Sequence, residues 1–252
     1  MKIPHWLRVT LILFVSLGVL ALVMGFTLWV SDVHEAMAEA EISLESDTHI
    51  QVGTEPWISF QPRGKTATTG LILYPGGRVA PEAYAPPARA IADAGYLVVI
   101  PPMPLNLAVL DIDKAAEITD AYTQIKTWAI GGHSLGGAMA AQYAGQHPEQ
   151  IDGLILWASY PAESSDLSGQ DLAAVSIYGT RDGLADSETV LAARDNLPPS
   201  TAWVAIEGGN HAGFGWYGEQ EGDLAATISR EEQQEQVVMA TLALLEKINT
   251  SR

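Results

Sequence analysis

"IGGHSLGG", residues 130–137, holds one serine with a glycine two positions before it and another two positions after it. Apolar "WAI" precedes the stretch and the alanine-rich "AMAAQYA" follows it, so Ser134 falls where a strand should give way to a helix. A side chain at the tip of so tight a turn forces unusual backbone angles. Its neighbours two residues away then come too close to adjacent backbone for a Cβ, which accounts for Gly132 and Gly136. The Ser134 hydroxyl would stand above a sheet at the positive end of a helix, with the Leu135 N–H aimed at the same space. A plain glycine turn whose serine only caps the helix is the competing interpretation, and residues elsewhere in the chain decide between them.

A serine hydroxyl is a weak nucleophile without a base and an acid to orient that base. In "SIYGTRDGL", Asp182 lies just past an expected strand, and in "IEGGNHAGFGWYG", His211 lies just past the next one. The order Ser134, Asp182, His211 is the order this architecture uses, and all three would sit at the carboxyl edge of a parallel sheet. Asp186 is the nearest competing acid. His5, His34, His49 and His147 lie away from these turns, and His133 is expected to point away from the site. "LYPGGRV" (73–79) offers a second backbone donor for an oxyanion beside Leu135, with Gly77 favoured and Arg78 as the alternative. Tyr74, Trp157, Tyr160, Phe214, Trp216 and Tyr217 are candidates for a shallow aromatic pocket, although aromatics in such folds usually fill the core.

Outward from this turn, short apolar runs alternate with helical stretches. Strands are expected at 70–77, 97–102, 128–132, 153–159, 173–179 and 202–208, and helices at 81–96, 112–125, 134–147, 186–196 and 231–248. Pro86 and Pro87 should break or kink the first of these helices. The expected fold is α/β, a mainly parallel, doubly wound sheet. Its catalytic domain would cover 56–252, behind an acidic lead-in at 31–55 with an edge strand around 48–52. Only about a dozen residues follow Ala162 before the next strand, so a large lid is not expected.

"VTLILFVSLGVLALVMGFTLWV" (9–30) carries no charge, and as a helix it would be about 33 Å long, enough to span a bilayer. Lys2 and Arg8 precede it, while Asp32, Glu35, Glu39 and Glu41 follow. This asymmetry predicts a single-pass anchor with the large domain outside the cytoplasm. Ala36-Met37-Ala38 also fits a signal cleavage site, so secretion after cleavage near Ala38 is the alternative. The net charge of −17 argues against a nucleic-acid partner. With no cysteine in the chain, thiolate catalysis and disulfides are excluded. No metal-ligand spacing stands out, and no cofactor is called for. Oligomeric state is not legible.

"YPGG", "GGHSLGG", "YGTRDG" and "GGNHAGFGWYG", in that order from about residue 70 onward, make the chain similar to the α/β-hydrolase superfamily. Within it, the chain resembles the dienelactone-hydrolase-like proteins called family-5 α/β hydrolases, many of which carry an N-terminal membrane span. The resemblance implies a Ser-His-Asp hydrolase built on Ser134, His211 and Asp182. One departure is plain, since dienelactone hydrolases proper use a cysteine nucleophile. The expected activity is therefore cleavage of small-molecule carboxylic esters through an acyl-enzyme. Acyl transfer, peptide cleavage or a silent binding domain are the alternatives.

Overall fold

A computed structural model describes residues 4–64 and 66–250, and it divides into two compact units, residues 1–33 and 34–252. The first unit is essentially one helix, α1 (His5–Ser31), whose 27 residues are long and apolar enough to cross a membrane. Its leucines and phenylalanines are exposed. Lys2, which helped set the expected orientation, lies outside the described residues, as does the side chain of Arg8.

The second unit begins at His34, so most of the segment read as a lead-in belongs to the folded body. It holds α2 (Ala38–Ile42), with Ala40 fully buried, and β1 (Ile50–Gly53), which pairs antiparallel with β2 (Ile58–Pro62). Then follow β3 (Thr69–Tyr74), α3 (Ala85–Asp93), β4 (Leu97–Ile100), α4 (Lys114–Ala121), β5 (Thr127–His133) and α5 (Leu135–Gln146). The chain continues through β6 (Gly153–Trp157), β7 (Ala173–Gly179), α6 (Ser187–Ala192), β8 (Ala202–Ile206) and α7 (Arg230–Thr250). The eight strands form one sheet in the order β1-β2-β4-β3-β5-β6-β7-β8. From β4 across to β8 all pairs are parallel.

The pleat divides the core in two. Leu71, Leu73, Val98 and Ile100 face α3 and α7, while Ile72, Val99, Ile130 and Leu156 face α4 and α5. Strands covered on both faces have no solvent side, which is why β3, β5 and β6 are buried at every residue and read as unbroken apolar runs. Edge strand β8 is only partly covered. A 3₁₀ turn, Pro81–Tyr84, leads into α3, whose first turn holds Pro86 and Pro87; proline's missing N–H is harmless there. The expected break is thus a junction between two helix types. No helix intervenes between β6 and β7.

Candidate active site

Ser134 occupies the turn between β5 and α5, with φ 52° and ψ −121°, backbone angles that a non-glycine residue adopts only under constraint. The constraint is visible on every side. The Ser134 N–H donates to the Trp157 carbonyl at 3.0 Å, and its own carbonyl accepts from the Ser159 hydroxyl at 2.7 Å. A Cβ on Gly132 would lie 2.5 Å from the Gly136 carbonyl carbon, and one on Gly136 would overlap the Tyr74 and Pro75 carbonyl oxygens. Both glycines are therefore demanded by close approach. The turn locks β3, β5 and α5 together and leaves Ser134 partly exposed.

Asp182 follows β7 and His211 follows β8, both at the carboxyl ends of their strands. Asp182 Oδ1 accepts the N–H groups of Leu184 and Ala185 at 2.8 and 2.7 Å. Its Oδ2 lies 2.8 Å from His211 Nδ1, with both side chains almost wholly buried. A carboxylate oxygen can only accept here, so Nδ1 donates and Nε2 presents its lone pair. Asp186, the competing acid, instead caps α6 by accepting from the Thr189 N–H, and it is solvent-exposed.

Ser134 and His211 line one open cleft of about 450 Å³. Leu135, Tyr160, Leu184 and four alanines form most of its remaining wall, and among the described residues no Lys, Arg, Asp or Glu lines it. A depression of about 390 Å³ bounded by Gln61, Leu97 and Gln124 lies at the opposite end of the parallel strands, away from any of these groups. Among the described residues, no group of three or more His, Asp or Glu side chains is arranged to hold a metal ion.

Of the aromatic candidates, only Tyr160 lines the cleft. Tyr74 is fully buried; its hydroxyl donates to the Ile112 carbonyl and accepts from the Ala115 N–H, pinning the start of α4. Trp157 is also fully buried and donates to the Thr241 hydroxyl on α7. Phe214 is stacked on His133 in the core, and Tyr217 packs there too. Trp216 is partly buried beneath the Arg230 guanidinium. The physical reason is shared by Tyr74, Trp157, Phe214 and Tyr217, whose rings fill the sheet faces.

The oxyanion candidates separate cleanly. The Gly76 N–H donates to the Tyr84 hydroxyl, and the Arg78 N–H donates to the Asn106 carbonyl, which removes the Arg78 alternative. Between them Gly77 comes against Leu135, where an added Cβ would sit 3.1 Å from Leu135 Cδ2.

His133 departs from expectation. Its ring is buried, and its centroid lies 4.5 Å from that of His211. The pleat does send it to the face opposite Ser134, but the chain after His211 folds down onto that face. Tyr84 accepts from the Gly76 N–H, and its hydroxyl is hydrogen-bonded to His133 Nδ1 at 2.9 Å. Burial, followed by the neighbouring His211, pushes the His133 pKa well below its usual value. The His211 loop is also held from outside. Gln233 of α7 accepts from the Asn210 N–H and donates to the Asn210 carbonyl, and Arg230 donates to the carbonyls of Ala212, Gly215 and Gly218. Sequence reasoning missed Tyr84, Ser159, Asp223, Arg230 and Gln233. Only Ser159 had a local signal, its place immediately beyond a buried strand.

The alpha/beta hydrolase family matches residues 70–235, a span that runs from β3 into α7 and includes Ser134, Asp182 and His211. No curated protein matches the chain.

Proposed function

Because this chain belongs to the alpha/beta hydrolase family, we propose that it is a serine hydrolase cleaving carboxylic esters through an acyl-enzyme on Ser134. The observation that carries this reading is the buried Asp182–His211 pair at 2.8 Å, with His211 and Ser134 lining the same cleft. His211 Nε2 takes the Ser134 proton as the hydroxyl attacks the ester carbonyl. The tetrahedral oxyanion is met by the N–H groups of Leu135 and Gly77. The imidazolium then protonates the leaving alcohol, and water deacylates the serine by the same route in reverse. Asp182 holds the imidazole in one tautomer and stabilises its charged form.

The cleft wall of leucine, tyrosine and alanine suits a small uncharged acyl group. Among the described residues no cation in the cleft wall would pair with a substrate carboxylate, which gives the dienelactone class of substrate no specific recognition there. The unit from His34 onward acts outside the cytoplasm, tethered by α1, since the positive charges precede the apolar run and the negative ones follow it.

The test is fluorophosphonate labelling of the full chain in detergent, read by intact mass and peptide mapping. A single adduct on Ser134 is expected, absent in Ser134→Ala and formed far more slowly in His211→Ala. A folded chain that takes no adduct overturns the reading.

A further inference from the structure

The segment 223–225, between the His211 loop and α7, touches the residues on both sides of Asp182 and of His211. Asp223 Oδ1 accepts the N–H of Gly183 at 3.0 Å, the residue after Asp182. Its Oδ2 accepts the N–H of Ala212 at 2.9 Å, the residue after His211. On the other side, Arg181 Nε donates to the Ala225 carbonyl at 2.7 Å, and Asn210 Nδ2 donates to the Leu224 carbonyl at 2.8 Å. Gly183 has to be glycine for this approach, because a Cβ would lie 2.5 Å from the Gly222 carbonyl oxygen.

We propose that Asp223 is a positioning residue for the Asp182–His211 pair, a staple that fixes the distance between the two loops. The inference rests on the hydrolase reading above. The loops are already tied on the strand side, where the Arg181 N–H donates to the Gly209 carbonyl at 2.8 Å. That bond precedes both Asp182 and His211. Without Asp223, the chain beyond them would be joined across the two loops by the Asp182–His211 hydrogen bond itself, which would have to resist loop motion and orient a base at once. One carboxylate can do this where other side chains cannot. It offers two acceptors in a single rigid plane, and the two groups it must hold are both backbone N–H donors. Asparagine has one acceptor and one donor, so one of those N–H groups would face another N–H. Asp223 sits outside the cleft, and its partners are Gly183, Ala212 and Leu224, so it contacts no reacting atom.

The experiment compares the full chain in detergent with its Asp223→Asn and Asp223→Glu variants, on a soluble short-chain ester. Misplacing a catalytic base by a fraction of an ångström is expected to lower kcat about 10–100-fold in Asp223→Asn. KM should stay within about twofold, because the cleft wall is untouched; Asp223→Glu, which keeps two acceptors, should recover part of the loss. The His211 Nδ1 proton, strongly deshielded by Asp182, gives a second readout independent of turnover. Its NMR resonance should shift and broaden in Asp223→Asn. Arg181→Gln, at the other end of the segment, should move both readouts the same way by less, and serves if Asp223→Asn does not fold. Unchanged kcat and an unchanged resonance in a folded variant overturn the staple. Wild type without turnover but with the resonance moving in the variant would instead overturn the hydrolase reading and leave the staple standing.

Discussion

Ser134 and His133 are adjacent in sequence and have opposite circumstances. Ser134 is partly exposed at strained angles, and His133 is sealed against Tyr84, Phe214 and His211. The glycine spacing made the serine legible, because a steric requirement at fixed offsets leaves its mark in the sequence. Nothing local marked His133, whose neighbours arrive from residues 84, 211 and 214. A histidine kept neutral by burial contributes a signed pH dependence. Its pKa is depressed in the folded chain while the unfolded chain keeps about 6.5, so below that value the unfolded state binds the extra proton and stability falls. Lowering the pH from 7 toward 5 should therefore reduce stability through this group, measured by urea unfolding. His133→Gln should flatten that part of the slope.

At the scale of elements, the order of strands and helices was readable because buried parallel strands are continuous apolar runs and two of the helices between them, α3 and α5, are closed by Gly95 and Pro148. Gly95, with φ +104° just beyond α3, is one such signal. The hold of α7 on the His211 loop was not readable. "REEQQEQ" looks like the polar start of a surface helix, yet Gln233 is fully buried and hydrogen-bonds both backbone groups of Asn210 in the manner of a neighbouring strand. Replacing Gln233 with leucine leaves the half-buried N–H and carbonyl of Asn210 without these partners. The expected loss is about 2–4 kcal/mol of stability, read from the shift in urea midpoint at constant slope. Turnover should fall as well, since Asn210 is the residue before His211.

For the whole molecule, a division between an apolar helix and an acidic remainder was suggested by composition. The boundary was not, because α2 and β1 carry polar faces and enter the fold through a few buried positions such as Ala40 and Ile50. The absence of cysteine gives a direct way to test topology. Ser164→Cys places a single thiol at an exposed position between β6 and β7. In intact cells a membrane-impermeant maleimide should label it; labelling only after permeabilisation would put the α/β unit on the cytoplasmic side. The braces on the His211 loop have a further consequence, for the order in which the chain is made. Gln233, Arg230 and Asp223 all leave the ribosome after Ser134, Asp182 and His211. A growing chain therefore carries Asp182 and His211 for some time before it carries what holds them in place, and the bracing of the His211 loop is complete only when the last helix is synthesised and docked.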